Sequence, residues 1–382
     1  MNPKVLLFGA GASARGHLTP RMLDFCPCHI TYIDKDKTLV DTLKNRSFEV
    51  VQLGLDGNDR ICTVDDFEIY HSSEQNEIDR AFADADIVLT CVIAENLDDV
   101  SAKLAAAIEH FATTRPDKKL NVVACENLNH ASSLLKELTI KRLSKKAAEI
   151  CGNQIAFPDA VISRVVPIPK NPLRIICEDY NEWYADKNAW LGEHSVAPFI
   201  GISDRLDALL ERKLWIHNGG HATLAYAAWH KGFRYIHEAV QDSGIAEFAT
   251  DAMREIGDCI ICKHGFDTDE IREYEAELGK RGAIAEMKDE VRRVIRDPIR
   301  KLGIKDRLMG PLIYAYENGM KCDSLMKSVV NVLRYHDAGD AESVRMKNAI
   351  ESEGASVFLA KTVGLDAFPG LAEQITKLYH SI

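Results

Sequence analysis

"KVLLFGAGASARG", residues 4–16, decides how the first half of this chain folds. A short apolar run that breaks into glycines and then into helix-compatible residues reads as a buried strand, a tight turn and a helix. Gly9, Gly11 and Ala14 form a G-x-G-x-x-A pattern at that turn. The first glycine allows the turn, the second lets backbone approach a pyrophosphate, and the small third residue lets the helix pack close to the strand. The anion would rest on the amides at the start of the helix. Arg15 comes next, as a phosphate contact or simply as a residue of the helix start. Glycine turns after strands are common, so the context matters. Asp34 closes the next apolar run, "HITYID" (29–34). A carboxylate there can accept from a ribose 2′-hydroxyl and repels a 2′-phosphate, which favours NAD over NADP. The expected cofactor contacts are Gly9, Gly11, Ala14, Arg15 and Asp34.

Outward from that stretch, "ADIVLTCVI" (85–93) and "LNVVACENL" (120–128) are further apolar runs closed by polar residues. Helical patterns such as "LDDVSAKLAAAIEHFATT" lie between them, the alternation of a parallel α/β sheet. "DAVISRVVP" and "LRIICEDYNEWYA" extend the β-rich region to about residue 190. From about residue 204 nearly every segment has helical period, including "RLDALLERKLWIH" and "SLMKSVVNVLRYH". The predicted organisation is an α/β Rossmann-type dinucleotide-binding domain over 1–195 and a mainly α-helical substrate domain over 196–382. Ligand sites often lie where two such domains meet.

Composition narrows the class. The 382 residues are 46% hydrophobic and 27% charged, a globular balance rather than a disordered or fibrous one. The net charge of −11 argues against nucleic acid or an anionic membrane as the main partner. No window approaches the roughly 20 apolar residues of a membrane span, and the first residues do not read as a signal peptide. The ten cysteines therefore read as reduced thiols of a cytoplasmic protein. Cys259, Cys262 and His264 stand close in sequence, but no second pair follows at zinc-site spacing, so a buried structural role is favoured and no metal is expected.

The chemistry points to "ERKLWIHNGGHA", residues 211–222. On a continuous helix at about 100° per residue, Lys213, Asn218 and His221 would fan across roughly 140°, one broad face. Gly219 and Gly220 make a helix break the expectation there. Either way a base, an amide and an imidazole can converge. The plain alternatives are a solvated lysine, a capping asparagine and a core histidine.

Several motifs in one order resemble the polyol-specific long-chain dehydrogenase/reductase family over essentially the whole length. They are "FGAGxxxRG", "ACEN" at 124–127, "ERKLxxxNxGHA" at 211–222, "KDxVxRVxRxPxRKLxxxDRL" at 288–308 and "GLDA" at 364–367. The resemblance implies a metal-independent NAD oxidoreductase that interconverts mannitol 1-phosphate and fructose 6-phosphate. It implies Lys213 as acid/base, with Asn218, His221 and Asn127 as the other catalytic residues. Without a metal to acidify the alcohol, a lysine can act near neutral pH only if desolvation or positive neighbours disfavour its ammonium form. Two asparagine amides would donate to the developing alkoxide. Arg293, Arg296, Arg300 and Lys301 fall on family-matching positions and are the candidate substrate contacts, since arginine suits phosphate.

Two departures bear on the substrate. Ser163 stands where the family usually has an aspartate, and an "N-P" stretch expected before "KDEV" is replaced by "RGAIAEMKD". They leave open a free hexitol or a hexuronate as substrate. A non-catalytic NAD-binding sensor would have shed Lys213 or its partners, and all are present. The partner class is a small sugar phosphate or polyol, handled by a monomer or small homo-oligomer.

Overall fold

In the computed structural model of the chain, residues 2–115 and 117–381 are described. The chain divides into two compact units, Met1–Asp207 and Ala208–Ile382. The first has twelve strands: β1 Lys4–Phe8, β2 His29–Asp34, β3 Phe48–Leu53, β4 Arg60–Val64, β5 Phe67–His71, β6 Ile87–Thr90, β7 Leu120–Ala124, β8 Ile155–Ala156, β9 Ala160–Ser163, β10 Arg174–Glu178, β11 Glu182–Asp186 and β12 Gly201–Ser203.

The main sheet has six strands in the order β5-β2-β1-β6-β7-β8. Every neighbouring pair in it is parallel. The four apolar runs read from the sequence are four of its members, β1, β2, β6 and β7. Parallel strands covered on both faces are apolar on both faces, and β1 shows why that is needed. Val5 and Leu7 point into one core with Ile30, Tyr32, Ile87 and Leu89. Leu6 and Phe8 point into the opposite core with Ile33, Val88, Leu104 and Phe111. Truncating one such buried leucine to alanine costs about 2–5 kcal/mol, so Leu6→Ala or Leu7→Ala would loosen one face each.

The chain runs from β1 outward to β2 and β5, then returns to place β6 on the other side of β1. The order therefore reverses between β1 and β6, and crevices beyond the carboxyl ends of strands at such a point are where ligands bind. Two smaller sheets, β10-β3-β4 and β12-β11-β9, complete the unit. Segments 48–71 were not singled out in the sequence, whereas the β-rich stretches near 160 and 180 supply β9, β10 and β11.

The second unit is built from helices. Asp242 accepts from the Ile245 amide (3.0 Å) to start Ser243–His264, which stops at Gly265 with φ of +64°. These are the usual start and stop signals of a helix. The segment 206–230 differs from the expected break. Leu206–Arg212 passes into a π-helical stretch, Lys213–Asn218, and on into Gly219–His230 without interruption. The glycines serve close packing instead. A Cβ on Gly219 would lie 2.6 Å from the Arg307 carbonyl oxygen, and one on Gly220 would lie 2.5 Å from Met253. Among the described residues no helix is long and apolar enough to cross a membrane.

Candidate active site

At the carboxyl edge of the main sheet, Gly9 has φ of +97°, and its amide donates to the Ile33 carbonyl (2.7 Å). A Cβ there would sit 2.3 Å from the Cys91 carbonyl oxygen, so the turn out of β1 can pass the turn out of β6 only as glycine. A Cβ on Gly11 would meet nothing within 4 Å. The backbone at Gly11 is thus open to an approaching group. Ala14 is fully buried and begins the π-helical turn Ala14–Leu18. The pair of a filled position and an open one fits a pyrophosphate-binding turn.

Asp34 ends β2 half-buried, and both its oxygens are engaged. Oδ2 accepts from the Ala10 amide (2.7 Å) and Oδ1 from the Asp36 amide (2.8 Å). It ties the glycine turn to the exit of β2, and each oxygen keeps a further lone pair. Lys35, beside it, donates to Asn96 Oδ1 (2.6 Å) and lies 3.5 Å from Asp99. Arg15 is buried inside the turn rather than displayed on it, at 2% exposure. Its Nε donates to the Ala10 carbonyl (2.6 Å), its Nη1 donates to the Pro172 carbonyl, and its guanidinium lies 5.2 Å from the centre of the Phe48 ring. Burial lowers its pKa, with Tyr32 and Asp34 acting in the opposite direction. Spent on two carbonyls, this side chain braces the turn from within and is not placed to meet a phosphate.

Asn127 follows β7 and is exposed at the same edge. Next to it is Glu126, which the sequence reading passed over. Its Oε1 accepts from Thr90 Oγ1 (2.7 Å) and from the Val92 amide (3.0 Å), pinning the turn that Gly9 abuts. Its Oε2 is buried and has no hydrogen-bond partner among the described residues. Burial drives this carboxyl up to about 7, the two accepted bonds opposing. The only sequence signal was its position inside "ACEN".

In the helical unit the π-helical stretch carries Lys213 at its first position and Asn218 at its last. Hydrogen bonds there run from residue i to i+5, which draws residues five apart toward one face, and such turns recur at functional sites. His221 lies one turn further on, its ring centre 6.4 Å from that of His217. Burial holds His217 well below its ordinary pKa, and Arg281, His221, Lys213 and Arg307 add to the effect. Positive groups therefore crowd this turn. Arg307 Nε donates to Asp306 Oδ1 (2.7 Å), and its carbonyl is the group packed on Gly219.

The basic run 292–301 does not act as one patch. Arg293 is exposed and donates from Nε to Asp289 Oδ1 (2.7 Å). Arg296 is exposed, and Arg300 is exposed with Nη2 3.7 Å from Asp297. Lys301 is buried at 3% exposure, and its backbone amide donates to the Asp297 carbonyl (3.3 Å). Burial, then Arg307 and Arg300, bring it down to about 7 against Asp297 and Asp306. Through Arg307 it belongs with the Lys213–His221 turn. Arg307 sits in the quoted "DRL" triplet; Arg281 carried no signal in the sequence. Cys259 is buried and Cys262 exposed, and no metal-holding group of histidine, cysteine and acid side chains occurs among the described residues.

A dinucleotide-type sheet edge on a chain that also carries a Lys-Asn-His set on a helix defines an oxidoreductase of the two-unit Rossmann class. Residues 3–196 match the mannitol dehydrogenase Rossmann domain and residues 205–382 the mannitol dehydrogenase C-terminal domain, so the chain belongs to the mannitol dehydrogenase family. It is 32% identical to the mannitol-1-phosphate 5-dehydrogenase of Thermoanaerobacter pseudethanolicus, over 99% of this chain and 98% of that one. It is 29% identical, with the same coverage of both chains, to the enzyme of that name from Caldanaerobacter subterraneus subsp. tengcongensis. In fold it is similar to the Pseudomonas fluorescens mannitol 2-dehydrogenase solved with NAD and D-mannitol. That likeness has a TM-score of 0.75 and 15% identity, and covers 100% of this chain and 92% of that one.

Proposed function

We propose that this polyol dehydrogenase interconverts mannitol 1-phosphate and fructose 6-phosphate with NAD, using Lys213 as the proton acceptor and donor and no metal. The observation that carries the reading is the crowding of Lys213, His217, His221, Arg281 and Arg307 around one π-helical turn, within a chain similar end to end to enzymes of that name. The open backbone at Gly11, the glycine-only passage at Gly9 and the carboxylate of Asp34 fit a nicotinamide dinucleotide. A nicotinamide dinucleotide held by that turn would supply the hydride acceptor for alcohol oxidation and the donor for ketone reduction.

The chain's own residues then handle the proton and the charge. Lys213 Nζ takes the hydroxyl proton as the carbon is oxidised and returns it on reduction. A base of this kind works as the neutral amine, the form that nearby positive charge or burial favours. The amide of Asn218 donates to the oxygen that carries developing negative charge, a contact worth several kcal/mol in acyl-transfer enzymes. His221 supplies a further hydrogen bond beside Lys213. Lys301 and Arg307 hold the phosphate: a buried ammonium without an anion is costly, and a dianion offsets that cost with charge-assisted bonds. Arg296 and Arg300 contribute at longer range.

A panel of fructose 6-phosphate, fructose and a hexuronate, each with NADH and NADPH, tests the reading by nicotinamide absorbance. Fructose 6-phosphate with NADH should be reduced most efficiently. A higher efficiency with fructose or the hexuronate would remove the phosphate and keep the family.

A further inference from the structure

His221 is not alone on its helix face. Its Nε2 lies 3.1 Å from Asp289 Oδ2, and the other oxygen of that carboxylate accepts from Arg293 Nε at 2.7 Å. The carboxylate is 11% exposed, and the His221 ring is 23% exposed. Asp289 is itself firmly set. Its carbonyl accepts from the Ile236 amide (2.9 Å), and the Val291 amide donates to the Arg234 carbonyl (3.0 Å), so the backbone on both sides is pinned to the 234–236 turn. Immediately before it, Lys288 has φ of +45°, a conformation that a side-chain-bearing residue adopts at a cost. Strain of this kind is kept where surrounding structure over-determines it, and it gathers at functional sites. Here it turns the chain so that Asp289 enters the interior.

We propose that Asp289 is a positioning residue for His221, and that Arg293 acts on the reaction only by holding Asp289. An ionised carboxylate accepts and cannot donate, so the His221 nitrogen facing it carries the hydrogen. In the neutral ring, the proton therefore sits on Nε2, and Nδ1 is left as an acceptor of fixed direction. His221 and Arg293 both keep Asp289 far below the usual carboxylate range, although burial opposes them. The carboxylate is thus ionised at every pH at which the enzyme would work. Arg293, read from the sequence as a substrate contact, becomes the outer member of a His221–Asp289–Arg293 chain. This rests on the proposed role of His221.

The test pairs a tautomer measurement with a kinetic cycle. In protein labelled with ¹⁵N-histidine, long-range ¹H–¹⁵N correlation should show His221 in the Nε2–H form. Asp289→Asn, whose amide can donate, should shift it toward the Nδ1–H form. Arg293→Gln, which leaves the acid in place, should keep the native tautomer and broaden its signal. In kinetics Asp289→Asn should lower turnover by about 10²-fold, the lower end of what a lost acid–base group costs, while leaving NADH affinity unchanged. Combined with His221→Ala it should cost no more than His221→Ala alone, because the two act through one ring. An unchanged tautomer in Asp289→Asn, or fully additive losses in the double variant, would overturn the proposal. The tautomer measurement needs no substrate, so a wrong substrate assignment would show in the panel and not here.

Discussion

Glu126→Gln removes a buried carboxyl whose second oxygen has no hydrogen-bond partner among the described residues, beside the turn that meets Gly9. Burial moves this group from 4.5 to about 7. Between those values the folded protein holds a proton that the unfolded chain has released, so stability falls as pH rises and the benefit is gone once pH passes about 7. At 1.36 kcal/mol for each tenfold change in proton affinity, the loss is on the order of 3 kcal/mol. Glutamine keeps an oxygen for Thr90 and Val92 but never ionises. Its own cost, an amide nitrogen that inherits the unpartnered position, does not vary with pH and cancels when two pH values are compared. Thermal unfolding of both proteins at pH 5 and pH 8, followed by circular dichroism, gives the difference of differences. Relative to wild type, the variant should gain about 6–12 °C between those pH values, taking 2–4 °C per kcal/mol for a unit of this size. A melting difference between the two proteins that is the same at pH 5 and pH 8 would refute the reasoning.

Arg15→Met should destabilise the first unit by about 2–4 kcal/mol, because the Ala10 and Pro172 carbonyls lose their charged donor; a loss of NADH affinity with unchanged melting would instead make Arg15 a cofactor contact. Asp34→Ala should weaken NADH binding by freeing the Ala10 amide and should not produce efficient use of NADPH, both readable as dissociation constants from nicotinamide fluorescence. Wild-type enzyme with equal efficiency for NAD and NADP would contradict the role given to Asp34. Lys301 lies near 7 when no anion is bound, so fructose 6-phosphate binding at pH 8 should take up a proton. Calorimetry in two buffers of different ionisation enthalpy measures this, and Lys301→Met should abolish the uptake and raise KM for fructose 6-phosphate far more than for fructose.

What could be read in advance was local. β1, β2, β6 and β7 are continuous apolar runs ended by glycine or polar residues, and the glycine turn follows from spacing along one stretch of chain. The same holds for the helical second half. Pairings set by distant residues could not be read. Arg15 is claimed by Pro172, and Glu126 by Thr90 and Val92. The Gly219–Gly220 pair misled because glycine has two uses. In isolation it favours a break, while in a packed bundle its missing Cβ admits the Arg307 carbonyl and Met253. The run 292–301 was read by charge alone, and only burial separates Lys301 from the exposed Arg296 and Arg300.

The most direct test is the turnover of Lys213→Ala with fructose 6-phosphate and NADH, set beside its NADH affinity and repeated for wild type after dialysis against a chelator. Turnover should fall by at least about 10²–10⁴-fold, with NADH affinity little changed and the chelated wild type fully active. A Lys213→Ala enzyme that keeps its turnover, or a wild type silenced by chelator and restored by zinc, would contradict lysine-based, metal-free catalysis.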